Sequence, residues 1–574
     1  MANEAFEALI GGAYAFQEPA LEFGAAFLGD ATYPAVRVRM PLRMANRHGL
    51  VAGATGTGKT KTLQVLTEQL SDAGVPVFLC DIKGDISGLA APARLDDRLN
   101  ARVTQLGLAD YAPRAYPVEF LTLNRGGRGA RVRATVSSFG PILLAKVLDL
   151  NETQQSVLAL VFKYADDQKL PLVDLSDLRA TLNYLNGDEG KAAMAEYGGI
   201  ATATAGVMIR KIVELEQQGA DAFFGDPEFD IHDLLRAAPD GRGMVSVLEV
   251  ADMQDRPKLF STFMMWMLSE LYHTLPEVGD IDKPKLVFFF DEAHLLFDDA
   301  NETFLDQIEL VARLIRSKGV GVYFVTQSPQ DVPQKVLAQL GNRVQHALRA
   351  FTPDDQKMIQ ATARTFPMTD QYDVARELVS LGIGEALVTA LSPRGVPLPT
   401  VHCVMRPPRS LMAPVDSQTF DAIVSASDIA GDYAADVDPN SAKEMLAARM
   451  KAASQQAWTP PPPAAPEPWQ TRPDGTPTWD AGSAGGSGGS RGARGREPWE
   501  VPPEPAPTSR SRRAQPPPDD GGVDLEEAAK MGTRILTSST TNTLLRGIFG
   551  VLGVTPPPRR TSTRRTSTRR RRRS

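Results

Sequence analysis

The run "RHGLVAGATGTGKTKTLQ", Arg47–Gln64, limits what this chain can fold into more than any other stretch. From Gly53 to Thr60 it reads G-x-x-x-x-G-K-T, a loop whose backbone N–H groups close around a phosphate. "HGLVA" before it predicts a short buried strand, and "KTLQVLTEQLSDAG" after it predicts an amphipathic helix ending at Gly74. A strand feeding a glycine turn and a helix start is the setting such a loop needs, because the helix N-terminus adds partial positive charge. Gly53, Gly56 and Gly58 let the chain curl so that successive N–H groups point inward. The expected nucleotide-binding set is Gly53, Ala54, Thr55, Gly56, Thr57, Gly58, Lys59, Thr60 and Lys61. Within it, Lys59 reaches the β- and γ-phosphates and the Thr60 hydroxyl ligates Mg²⁺.

Such a site needs an acidic residue at the end of a buried strand. "KLVFFFDEAHLLF", Lys285–Phe297, has five apolar residues, Leu286–Phe290, apolar on both faces as a central parallel strand is. Asp291 then emerges at the carboxyl end, where open α/β sheets bind ligands. Asp291 is expected to hold Mg²⁺ through water, and Glu292 to orient the attacking water. "GVGVYFVTQSPQDVP", Gly319–Pro333, is a second buried strand ending in a polar residue, and Gln327 there is placed to sense the γ-phosphate. These residues together describe a nucleoside triphosphatase.

The rest of the chain predicts an α/β protein with a mostly parallel sheet flanked by helices. Residues 1–45 contain an alternating strand, "AVRVRMPL" (Ala35–Leu42). "VPVFLCDIKGDISGLA" supplies a strand, Val75–Cys80, followed by Asp81, Lys83 and Asp85 in a position suited to a nucleotide or metal. Residues 91–240 read as a mainly helical insert between core segments 46–90 and 241–405; within it "PVEFLTL" and "VRATVSS" look like strands, and "NETQ" (Asn151–Gln154) opens a helix as a capping box. Residues 406–455 extend the core. Residues 456–521 form a Pro/Gly-rich linker that cannot bury enough apolar surface to fold, although four of the five tryptophans lie in it. Residues 522–554 contain an amphipathic stretch, "NTLLRGIFGVLG", and 555–574 a disordered arginine tail suited to anions.

Charge narrows the partners. The tail holds nine arginines and no acid, so the other 554 residues carry −16 within a net −7. An acidic body does not bind DNA over its whole surface, and any nucleic-acid contact is local. No stretch reaches the length of an apolar membrane span. The N-terminus "MANEAFEALIGG" carries acids where a signal peptide carries Lys or Arg, and the two cysteines, Cys80 and Cys403, show no metal-ligand spacing. The expected home is a reducing cytoplasm.

Other loop-bearing classes are set aside by what is missing. No LSGGQ-like signature precedes the acidic strand, "SVLEVADMQDRPKLF" being the stretch in its place, and no N-K-x-D base-reading motif stands in position. The blocks "NRHGLVAGATGTGKTKTLQ", "VPVFLCDIKGDISGLA", "LVFFFDEAHLLF", "GVGVYFVTQSPQDVP" and "LGIGEALVTAL", in this order over roughly residues 30–410, resemble the HerA-like ATPases of the FtsK–HerA superfamily. That resemblance implies a RecA-like core, a homo-hexameric ring, ATP with Mg²⁺, and translocation on duplex DNA. It implies that Arg47 approaches the nucleotide and that Arg316 is the finger reaching a neighbouring subunit's γ-phosphate, with Arg313 its rival. HerA proteins carry a β-barrel domain ahead of the loop, for which the 52 residues before Gly53 leave no room. The chain is therefore expected to resemble the barrel-less bacterial branch, which leaves a nuclease or other protein partner open. The alternatives are a motor acting on protein or secretion substrates, and an ATP-gated scaffold whose tail recruits a partner.

Overall fold

The computed structural model describes residues 2–250, 257–297, 302–437 and 440–457, all within one compact unit, Met1–Ala464. The amphipathic stretch and arginine tail expected beyond residue 521, and nearly all of the linker, lie outside the described residues.

Twelve strands form one sheet: β1 (Ala20–Leu28), β2 (Ala31–Pro41), β3 (Gly49–Ala52), β4 (Val77–Asp81), β5 (Val118–Thr122), β6 (Ala130–Arg131), β7 (Val245–Glu249), β8 (Leu286–Phe290), β9 (Val320–Thr326), β10 (Asn342–Gln345), β11 (Glu385–Thr389) and β12 (Val401–Met405). Their spatial order is β2-β1-β12-β11-β10-β3-β9-β8-β4-β7-β5-β6. From β10 to β6 every neighbouring pair is parallel; the β11, β12, β1 and β2 edge is antiparallel. β3 therefore lies inside the sheet, with β9 between it and β8.

The core strands are apolar on both faces because helices cover both. Successive residues point to opposite sides. Phe288 and Phe290 of β8 pack with Phe78, Leu248, Trp266 and Leu158 in one cluster. Val287 and Phe289 pack with Leu63, Leu66, Val77 and Phe120 in the other. The first face is roofed by helices at 136–147, 152–167, 175–186, 202–217 and 257–274, the second by those at 2–13, 59–72 and 417–425. Cys80 and Cys403 are free and buried.

Several local expectations meet different outcomes. The Asn151–Gln154 capping box is formed: Gln154 N–H donates to Asn151 Oδ1 at 3.0 Å, and Asn151 N–H to Gln154 Oε1 at 3.1 Å. "VRATVSS" (132–138) contributes only an isolated bridge at Ala134; the short strand Ala130–Arg131 lies just before it, and the Thr135 hydroxyl accepts the Ser138 N–H at 3.0 Å and starts a helix instead. The strand expected at Ala35–Leu42 runs Ala31–Pro41 and pairs with β1, which alternation did not reveal. β1, "ALEFGAAFL", is buried along its centre between β2 and β12, so its pattern is not period two. β5 and β6, from the stretch expected to be mainly helical, extend the central sheet.

Candidate nucleotide site

The phosphate loop leaves the carboxyl end of β3 and enters the helix Lys59–Asp72. Gly53 has φ +152°, and a Cβ there would stand 2.5 Å from the Cβ of His346, so the position requires glycine. Gly56, at φ +78°, takes the left-handed turn that aims the following amides inward. The loop is pinned from outside itself. Gly53 N–H donates to the Thr326 carbonyl at 3.2 Å and Ala54 N–H to the Ala347 carbonyl at 2.8 Å, while the Thr57 carbonyl accepts the Gly384 N–H at 3.0 Å.

Lys59 is buried, and its ammonium folds back onto the loop, donating to the carbonyls of Gly53 at 2.6 Å and Ala54 at 3.3 Å. Burial and the nearby Lys83 charge lower its pKa, while Glu292, Asp291 and Asp331 act in the opposite direction. Those carboxylates are thus within electrostatic reach of Lys59, although they come from β8 and from the turn after β9. Thr60, half-buried, occupies the first helical turn, and Lys61 beside it is within reach of Asp85 and Asp81.

Asp291 follows β8 directly and is 2% exposed. Its Oδ1 accepts the Glu292 N–H at 3.0 Å and its Oδ2 has no hydrogen-bond partner. Burial pushes its carboxyl up to about 6, with Lys83 pulling the other way. A buried, unsatisfied carboxylate oxygen is costly and fits a cation-binding role. Glu292 is buried as well and has φ +46°, a left-handed conformation uncommon outside glycine. Its Oε1 is ion-paired to the Lys83 ammonium, and His294 Nδ1 lies 3.3 Å from Oε2. Burial opposes the charge on Glu292, but the Lys83 contact outweighs it and holds the carboxyl below its ordinary value.

Gln327 is exposed at the carboxyl end of β9, the same end as the loop. The turn that carries it is shaped by Asp331, whose Oδ2 accepts the Thr326 hydroxyl at 2.5 Å and the Ser328 N–H at 2.9 Å. The arginines lie elsewhere. Arg47 precedes β3, at the amino end, and its guanidinium is 3.5 Å from Asp280. Arg313 and Arg316 are exposed at the end of the helix Glu302–Ile315, where the chain turns into the amino end of β9. The structure thus gathers the loop, Asp291 and Glu292, and leaves all three arginines at the opposite strand ends of the same chain.

Residues without an assigned role in the sequence complete the pocket's support. His346, fully buried after β10, has Nε2 2.9 Å from the Thr62 hydroxyl and Nδ1 2.8 Å from the Glu385 carbonyl. Burial lowers its pKa to about 4, so the ring is neutral. Arg102 donates to the carbonyls of Ile383 at 3.1 Å and Gly384 at 3.2 Å, fixing the segment that caps Thr57. Asp331 had a readable signal, the S-x-x-D spacing from Ser328; His346 and Arg102 had none.

A family model described as "Helicase HerA-like C-terminal" matches residues 28–556. The DNA double-strand break repair helicase HerA of Saccharolobus solfataricus is 23% identical over 359 residues, which cover 62% of this chain and 63% of that protein. The protein of the same description from Sulfolobus acidocaldarius is 21% identical over 368 residues, 64% of this chain and 66% of the relative. The chain thus spans less than two thirds of the length of these curated relatives. Among solved structures, the plasmid coupling protein TrwB in complex with ADP and Mg²⁺ is similar, with a TM-score of 0.43 and 17% identity over 69% of this chain and 99% of that one. With the family model spanning most of the sequence, and Lys59 of the β3 loop within electrostatic reach of the acidic end of β8, this chain belongs to the HerA-like helicase C-terminal family.

Proposed function

We propose that the chain is an ATP-hydrolysing motor that assembles as a hexamer and moves on duplex DNA. The observation that carries this reading is the convergence of Lys59 with Asp291 and Glu292 at the carboxyl ends of β3 and β8. Membership of the HerA-like family supports the motor class, and the curated relatives' description as DNA repair helicases supports DNA as the track.

The chemistry follows from the residues. The loop amides and the Lys59 ammonium bind the β- and γ-phosphates and offset charge that grows as the terminal phosphoryl group departs. To do so, Lys59 exchanges the Gly53 and Ala54 carbonyls for phosphate oxygens. Glu292 accepts a proton from the attacking water, the water oxygen bonds to the γ-phosphorus, and the bond to the bridging oxygen breaks to leave ADP and phosphate. Gln327, exposed at the carboxyl end of β9, senses the γ-phosphate. Thr60 and Asp291 are the residues that would hold Mg²⁺, and the unsatisfied Asp291 Oδ2 fits that role. The ion, when bound, disperses negative charge on the β- and γ-phosphate oxygens.

Arg316 is proposed as the finger acting on a neighbouring copy's nucleotide, with Arg47 approaching the same interface and Arg313 as the alternative finger. Their placement away from their own chain's loop supports action between copies over action on their own nucleotide. Residues 46–90 and 241–405 are taken as the motor core. Among the described residues no helix is long and apolar enough to cross a membrane, and we place the protein in the cytoplasm.

ATP turnover by the full chain, measured with and without duplex DNA, tests the reading. Stimulation by duplex is expected. Turnover indifferent to every nucleic acid tried would remove DNA as the track.

A further inference from the structure

The ammonium of Lys83 already grips the carboxylate that hydrolysis needs. Lys83 stands two residues past β4, and its backbone is anchored there by Asp81. That buried carboxylate accepts the N–H groups of Lys83 at 3.1 Å, Gly84 at 2.7 Å and Ile86 at 2.8 Å. β4 and β8 are neighbours in the sheet, with Cys80 opposite Phe290. The anchored turn therefore places the root of Lys83 beside the end of β8, and its side chain reaches Glu292 Oε1. Glu292 is 8% exposed and Lys83 36%, so one partner is enclosed while the other borders solvent.

Two further observations bear on what this contact does. Asp291 and Glu292 are adjacent buried carboxylates; the Lys83 ammonium contacts Glu292 directly and its charge reaches Asp291. Glu292 keeps its present orientation with a backbone φ of +46°, a conformation that ordinary side chains do not hold without supporting contacts.

We propose that Lys83 is the resting counter-ion of the Asp291–Glu292 pair, a positioning residue that the magnesium–nucleotide complex displaces before Glu292 turns to water. This rests on the nucleotide-site reading above. A dication carried to Asp291 and an ammonium held on Glu292 repel each other at short range, and a poorly hydrated site strengthens that repulsion. Lys83 is the group free to leave, since its side chain already borders solvent. Two consequences follow: the buried carboxylates are neutralised while the pocket is empty, and Glu292 is withheld from water until metal and nucleotide arrive together.

The test uses the full chain and Mn²⁺ as probe, titrated by electron paramagnetic resonance without nucleotide. Lys83→Met removes the ammonium in contact with Glu292, leaving Lys59 at longer range, and is expected to bind Mn²⁺ about tenfold more tightly than wild type. Lys83→Arg retains the counter-charge and is expected to stay near wild type. In turnover assays, the effect of Lys83→Met should fall on KM for the magnesium–ATP complex, lowering it, more than on kcat. Unchanged or weaker Mn²⁺ binding by Lys83→Met overturns the proposal, as does a loss confined to kcat, which would place Lys83 in the chemistry. If wild type binds no fluorescent ATP analogue while Lys83→Met still tightens Mn²⁺, the nucleotide reading falls and the counter-ion assignment stands.

Discussion

The Thr62 hydroxyl and His346 Nε2 lie 2.9 Å apart, joining the first turn of the phosphate-loop helix to the end of β10. The other ring nitrogen meets the Glu385 carbonyl, so one neutral imidazole spans two segments that flank the nucleotide loop. Its burial lowers the folded-state pKa to about 4, below the ordinary value of 6.5. Between those values the unfolded chain binds more protons, so this group makes stability rise with pH and fall on acidification. The ceiling is about 3 kcal/mol. His346→Gln should therefore show a shallower loss of stability from pH 6.5 to 4 than wild type, measured by urea unfolding at each pH.

Asp291 acts with the opposite sign. Burial raises its folded pKa to about 6 from 3.8, so its ionisation opposes folding at neutral pH and ceases to matter below the unfolded value. Asp291→Asn should be more stable than wild type at pH 8 by about 1–3 kcal/mol, while losing turnover. The stability advantage should shrink as pH falls through 6 and be gone near 4, which thermal or urea melts across that range would show.

Replacing Glu292 with Gln keeps the side chain's size and removes its basicity. Turnover should fall by about 10²–10⁴-fold. Binding of a fluorescent ATP analogue should persist, since the loop and Lys59 are untouched. Normal hydrolysis by this variant would show that another group takes the proton.

Arg102 touches the nucleotide loop only through Ile383 and Gly384, whose carbonyls it holds. Arg102→Ala frees that segment, and with it the Gly384 N–H that Thr57 uses. KM for ATP should rise several-fold with kcat nearly unchanged, and the melting temperature should move little, because only two carbonyl contacts of a half-buried side chain are lost.

Mixing two inactive variants tests action between copies. Lys59→Ala removes the grip on phosphate and Arg316→Ala removes the proposed finger. If the finger acts across an interface, mixed assemblies contain some pockets with both groups intact. Turnover by the mixture should then exceed that of either variant alone. A mixture as inactive as its parts argues against Arg316, and the same experiment with Arg313→Ala tests the rival.

The sequence alone determined the phosphate loop, the β8 strand ending at Asp291 and the Asn151–Gln154 cap, because each is written in contiguous residues. A loop that binds phosphate through successive amides needs only its own glycines and the helix after it. A strand buried on both faces is visible as an unbroken apolar run, Leu286–Phe290. Weaker patterns misled: β1 is rich in Ala and Gly and lacks alternation, and "VRATVSS" has strand-like residues but a threonine cap.

Tertiary structure alone decided which distant groups share the pocket. His346 meets Thr62 across 284 residues, and Lys83 meets Glu292 because β4 neighbours β8. Spacing along the chain contains no trace of either contact. Both follow from the strand order β10-β3-β9-β8-β4, set by crossovers that pack helices on both faces of the sheet. The same geometry sends residues before a parallel strand to its amino end, which is why Arg47, six residues before Gly53 in sequence, lies away from the loop it precedes.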